Sequence, residues 1–247
     1  QRVALGTCRS ADDALDQLIE LTERFTQGGK MEHHQRTVRY HSSFAIADAR
    51  CAWLLETAGN FWAAKRVRGL ATISNALSIE DDFDRVHSGA YAAARERGWV
   101  KSARDFSFAA AFSDRVVTLL TGAAARRACT ARSLQGVGEP HVRNMIRMLT
   151  DHAGIEPTSG WRGEIPCSHA SWMPTRHSQQ TTGSMIARLD DSGASVWATG
   201  TSSPCLSVFK PAAFESAIFP ARPVADARFD ARELWWAHER LHRACLE

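Results

Sequence analysis

Trp53-Leu54-Leu55-Glu56-Thr57-Ala58-Gly59-Asn60-Phe61-Trp62-Ala63-Ala64-Lys65-Arg66-Val67 reads as two strands joined at Gly59-Asn60. Gly supplies a left-handed turn position at no steric cost, and Asn tolerates one. Upstream, Ser43 to Asp48 predicts a strand that turns near Ala49-Arg50 into the segment from Cys51 to Thr57. Downstream, Gly69 precedes Ala71 to Asn75, which predicts a fourth strand ending in a polar residue able to donate hydrogen bonds. The four form an antiparallel meander.

Working outward, Ala11, Ala14, Leu15, Leu18, Ile19 and Phe25 recur at helical spacing. Ser10 is the expected N-cap, and Gly28-Gly29 the stop. Residues 30–39 lack periodicity and predict a loop. The stretch 80–152 predicts helices, with Phe108, Phe112, Val116, Leu119 and Leu120 as one buried stripe. Pro140 suits a first helical position, and Val142, Met145, Ile146 and Leu149 form a second stripe. After a Gly/Pro/Ser-rich connector at 154–168, three strands are predicted over 182–189, 194–199 and 206–210. Pro-rich coil at 211–223 leads to a last helix capped by Asp230, with Leu234, Ala237, Leu241 and Ala244 on one face. Hairpins dominate, and no β–α–β alternation with a Gly-rich phosphate loop occurs. The expectation is an α+β fold. One domain over 1–247 is expected, because each β block alone leaves an apolar face uncovered.

The formal charge of +3 gives no reason to expect a nucleic-acid or acidic-membrane partner. Of the 30 basic residues only Lys30, Lys65, Lys101 and Lys210 are lysines. The arginines form no cluster beyond Arg126, Arg127 and Arg132, whose spacing suits a solvated helix face. Cysteines stand at 8, 51, 129, 167, 205 and 245, without Cys-x-x-Cys. Free thiols in a reducing cytoplasm are the simplest reading. No apolar run approaches the roughly 18 residues that span a bilayer.

Several of these segments together resemble the secernin and dipeptidase A family. The residues that carry the likeness are the Glu56-Thr57-Ala58-Gly59 to Trp62-Ala63-Ala64 hairpin, Thr181-Thr182-Gly183-Ser184-Met185, Ser203-Pro204-Cys205 with Phe209-Lys210-Pro211, and Leu234-Trp235-Trp236-Ala237-His238-Glu239. The match is weak over 80–160. The resemblance implies a four-layer αββα antiparallel sandwich of the N-terminal-nucleophile type, in which a terminal cysteine attacks an amide, in dipeptides or small amides. In that family about a hundred residues precede the point matched by Gln1, so the resemblance makes this chain the later portion of such a domain, incomplete at its N-terminus. The nucleophile belongs to the upstream segment. The resemblance makes Asn75 the oxyanion donor and Thr182, Ser184 and Trp62 substrate contacts. It implies no cofactor and no metal. Penicillin V acylase and bile-salt hydrolases are relatives of that family; they carry an Arg on the strand beside the nucleophile, and this chain has none at the matching place. Open sheet edges call for a companion N-terminal segment or a second copy as partner. The alternative from another class is a non-enzymatic interaction or regulatory protein, as some members of the family are.

Each site residue also has a plainer reading. Asn closes turns at strand ends, Thr is a good strand former, and Trp53 and Trp62 suit a core. Cys167 with His169 offers a rival thiol nucleophile, but an extended i, i+2 pair faces apart. Cys205 reads as packing. His33, His34 and His41 with Cys51 lack metal-ligand spacing, as do His169 and His177. Glu56, in an apolar strand, either faces solvent or pairs with Arg or Lys.

Overall fold

The computed structural model describes residues 2–25, 41–156, 165–169, 180–212 and 228–244. The Gly28-Gly29 stop, His33, His34, His177 and the coil at 213–223 lie outside them. The chain forms two compact units, Gln1–Leu119 and Leu120–Glu247. Both carry helices and antiparallel sheet, so the class is α+β.

In the first unit a short helix α1 (Arg2–Thr7) precedes α2 (Ala11–Arg24). Ser10 caps α2 as expected, its side chain accepting from the Asp13 N–H. The strands β1 (Ser42–Ala47), β2 (Ala52–Ala58) and β3 (Phe61–Arg66) form the predicted meander. The register is continuous, with Leu55 facing Phe44 on one side and Ala64 on the other. Gly59 turns the hairpin at φ 64°.

β2 is buried on both faces, which is why its sequence reads as a continuous apolar run. Trp53, Leu55, Trp62 and Ala64 pack against Leu15, Leu18 and Ile19 of α2. Leu54, Ala58 and Ala63 pack on the opposite side with Leu77, Ile79, Val100, Phe106 and Phe108. Each fully buried Leu, such as Leu15 and Leu55, contributes roughly 1.5–3 kcal/mol.

The fourth strand is not at 71–75. It is β4 (Arg85–Val86), paired with Ala63 and Ala64 of β3. The Ala71–Asn75 stretch carries only an isolated bridge between Ser74 and Ala76. Two side chains cause the change. Glu56 takes the main-chain N–H groups of Ser78 and Ile79. Asp84 takes the N–H of Arg66. The chain leaves the sheet and returns only at Arg85, ten residues beyond Asn75.

The first unit continues with α3 (Ala90–Glu96) and α4 (Phe108–Phe112), and α5 (Arg115–Leu120) stands at the junction of the two units. The predicted stripe from Phe108 to Leu120 breaks at Ser113-Asp114. Phe108 is fully buried, whereas Val116 and Leu119 are exposed.

Asp48 ties the meander to α2. Its carboxylate accepts from the N–H groups of Ala11, Arg50 and Cys51 at 2.7–2.9 Å. These donors, Ala11 first, hold the carboxyl at about 2, against the ordinary 3.8. The unfolded chain therefore takes up the proton first as pH falls. The stabilisation is complete above the unfolded value and disappears as pH drops through about 2. Asp48→Asn is expected to flatten the acid limb of the stability–pH curve across that window, read by urea denaturation. Parallel curves for the two proteins would count against the tie.

The second unit holds α6 (Ala123–Leu134), α7 (Val142–Leu149), β5 (Met185–Asp190), β6 (Gly193–Ala198), β7 (Lys210–Ala212) and α8 (Leu234–Ala244). Pro140 is not the first helical position: α7 starts at Val142, capped by His141 in a reciprocal box with Asn144. The β5–β6 hairpin turns between the two predicted strands, with Asp190 facing Gly193. The third strand forms at 210–212 and not at 206–210, because 204–206 coils into a 3-10 turn with Pro204 at its start. Asp230 closes the turn before α8 and is not its cap, accepting from the Arg232 N–H. Leu234 and Leu241 share a helix face as predicted, but that face is exposed, and α8 buries Glu239 and His242. Among the described residues, no helix is long and apolar enough to cross a membrane.

Candidate functional site

Asn75 is exposed on the segment that leaves β3. Its Oδ1 accepts from the Ser74 hydroxyl at 3.3 Å. The segment is fixed from below by Glu56, which is fully buried. The Glu56 carboxylate accepts from the Ser78 N–H at 2.6 Å, the Ser78 hydroxyl at 2.6 Å and the Ile79 N–H at 2.9 Å. The expectation that Glu56 faces solvent or pairs with a base is therefore wrong. Main-chain donors offset its burial as a cation would. Trp62 lies 7 % exposed under α2, its indole N–H donating to Glu23.

In the second unit Thr182 is exposed, on the wall of an open cleft that includes Gln180, Phe229, Trp235 and Trp236. Trp235 and Trp236 are both half-buried and stack edge to face at 4.8 Å. Ser184 is half-buried, and its N–H donates to Thr199 at 3.0 Å.

The same unit gathers a cluster that the sequence does not announce. His152, Cys167, His169 and Cys205 place one ligating atom each within 4.8 Å of one another. Three main-chain segments bring them together. Asp151 accepts from Ser133 of α6 at 3.0 Å and from the Ala153 N–H at 2.7 Å, which fixes the turn carrying His152. The Asp151 carbonyl accepts from the Cys167 N–H. Thr181 bonds Pro166 and Ser168 on one side and, through its carbonyl, the Ser203 N–H on the other. That contact holds the 204–206 turn bearing Cys205 against residues 165–169.

Cys167 and His169 do not face apart. The segment is bent, and Cys167 Sγ lies 3.6 Å from His169 Nε2. Cys205 Sγ is 3.1 Å from the same nitrogen. The other ring nitrogen, Nδ1, meets His242 Nε2 at 3.1 Å. Ser203 also reaches His242 Nε2 at 3.1 Å, from a left-handed backbone at φ 56°. Beyond it, buried Glu239 accepts from Ser202 at 2.6 Å, Arg243 at 2.7 Å and Gln180 at 3.0 Å. Burial pushes the Glu239 carboxyl up, and these three donors outweigh it, so it titrates below the ordinary range. Burial also lowers His242.

Burial pushes the Cys167 thiol up to about 12, opposite to what an attacking thiolate needs. That speaks against Cys167 as a nucleophile. The chemistry these residues suit is ligation: two sulfurs and two imidazoles are the donor set of soft divalent cations. Sequence reasoning missed His152 and His242 altogether and set Cys205 aside as packing. The pair Cys167-x-His169 was the available signal, and its partners are too far along the chain to form a spacing motif. No known protein-family model matches this chain.

Proposed function

We propose that this chain is the later portion of an amide hydrolase that cleaves dipeptides or similar small amides through a cysteine acyl-enzyme, within a four-layer αββα sandwich and in the cytoplasm. The observation that carries the proposal is the Glu56 grip on residues 78–79. It joins two parts of the sequence resemblance, the Glu-Thr-Ala-Gly hairpin and the segment bearing Asn75, through a buried carboxylate. A side chain meant to meet a developing oxyanion needs a rigid support, and this grip supplies one.

In this reading a terminal cysteine outside residues 1–247 passes its thiol proton to its own α-amino group and attacks the amide carbonyl carbon. The carbonyl oxygen gains charge and takes a hydrogen bond from the Asn75 amide. The tetrahedral adduct expels the amine, which leaves with a proton from the α-amino group, and water then hydrolyses the thioester. Thr182 and Ser184 are the proposed substrate contacts; Trp62, 7 % exposed with its indole N–H on Glu23, serves the core beneath α2.

The test uses the chain expressed together with its upstream coding segment. Turnover of a dipeptide panel is expected, abolished by iodoacetamide with the label on the terminal cysteine. No turnover, or turnover untouched by alkylation of that cysteine, overturns the proposal. Specific capture of a folded partner by the inactive protein would favour the non-enzymatic alternative.

A further inference from the structure

We propose that His152, Cys167, His169 and Cys205 bind a zinc-class divalent cation in a closed tetrahedral site. The hydrolase reading makes no use of this site. A tetrahedral ion with metal–sulfur bonds of ~2.3 Å and metal–nitrogen bonds of ~2.05 Å sets sulfur and nitrogen roughly 3.5 Å apart. His169 Nε2 stands 3.1 and 3.6 Å from the two sulfurs. One imidazole nitrogen has a single lone pair or a single proton, so it cannot bond well to two thiols at once. A shared cation resolves the conflict.

Two further observations point to a ligand. His152 Nε2 is buried and finds no hydrogen-bond partner among the described residues, while its ring stands 5.3 Å from that of His169. A buried ring nitrogen left without a partner is costly, and coordination through its lone pair would satisfy it. Second, the groups behind the cluster follow the pattern of an outer coordination shell. With Nε2 on the ion, His169 Nδ1–H donates to His242 Nε2. His242 then carries its own proton on Nδ1, which is buried 3.9 Å from Glu239 Oε2. Glu239 is fixed by Ser202, Gln180 and Arg243.

The charge also balances. On binding, Cys167 and Cys205 each release a proton to solvent, and two thiolates neutralise a divalent ion. Four protein ligands leave no open position, so the ion's role is to staple the 152 turn, residues 165–169 and the 204–206 turn, not to activate water.

The experiment is metal analysis of the whole chain purified without chelator, with cobalt substitution as a second readout. Stoichiometric zinc is expected, with visible d–d and thiolate-to-cobalt charge-transfer bands after exchange. Cys167→Ser and Cys205→Ser are expected to lose both. Cys129→Ser, whose thiol meets Asp151 and not the cluster, is expected to keep them. His242→Gln is expected to weaken metal affinity about 10–100-fold while leaving stoichiometry intact at saturation. Failure of the serine variants to fold leaves the wild-type cobalt spectrum decisive. Protein that takes up no metal from zinc buffers overturns the proposal, whether Cys167 and Cys205 are then free thiols or a disulfide. None of these readouts depends on amide hydrolysis, so either reading can fail without the other.

Discussion

Glu56→Ala is expected to cost about 4 kcal/mol of stability. The carboxylate sits at zero exposure and receives three hydrogen bonds, two of them from main-chain N–H groups. Hydrogen bonds to a charged group contribute about 1.5–3 kcal/mol, and each buried donor left unmade costs about 1–3 kcal/mol. The Ile79 amide has no route to solvent, because Ile79 itself is 2 % exposed. The lost side-chain volume adds a cavity cost. Glu56→Gln keeps the shape and a carbonyl acceptor, so it is expected to recover much of the loss. Urea denaturation gives the total. Hydrogen exchange at the Ser78 and Ile79 amides localises it, since both should lose protection ahead of the β1–β3 amides. A loss below about 1 kcal/mol, with those amides still protected, would show that the sheet and not the carboxylate holds this segment.

Asn75→Ala in the enzyme carrying its nucleophile is expected to lower kcat about 10²–10³-fold with little change in KM. The asymmetry follows from the proposed role. A donor aimed at the oxyanion interacts with charge that exists only as the tetrahedral adduct forms, so its loss is felt in the chemical step and not in ground-state binding. Stability should move little, because Asn75 is exposed and the clamp acts on Ser78 and Ile79. Equal losses in kcat and stability would reduce Asn75 to a turn residue. An unchanged kcat would remove it from the mechanism.

The parts of the fold legible in the sequence are those set by local patterning. Ser10 and the stripe from Ala11 to Ile19 gave α2, and Gly59-Asn60 gave the β2–β3 hairpin. The misread parts are those where a distant side chain overrides local preference. Ala71 to Asn75 has strand-like composition, yet Asp84 takes the Arg66 N–H at the end of β3, and Glu56 holds the chain at Ser78 and Ile79 just beyond. Val208 and Phe209 favour a strand, but Pro204 and the hydroxyl bonds of Ser207 to the carbonyls of Ser202 and Ser203 coil the chain first. Phe108 to Leu120 carries a helical period across Ser113-Asp114, where the helix stops. The Cys/His cluster was illegible for a similar reason. Its members converge through bends at 151–154, 165–169 and 203–206, and no periodicity encodes such bends.

α8 reverses the usual relation between polarity and tolerance to change. Its leucines at 234 and 241 face outward, while Glu239 and His242 are clasped inside by partners on three other segments. Among related sequences the greasy positions of this helix should drift freely, even to lysine or glutamate, while its acid and imidazole stay constant. A one-residue rotation of the helix would strand both inside without partners. Its orientation is thus specified by directional bonds, the way a key is indexed by its teeth, and oil-like adhesion plays the lesser part.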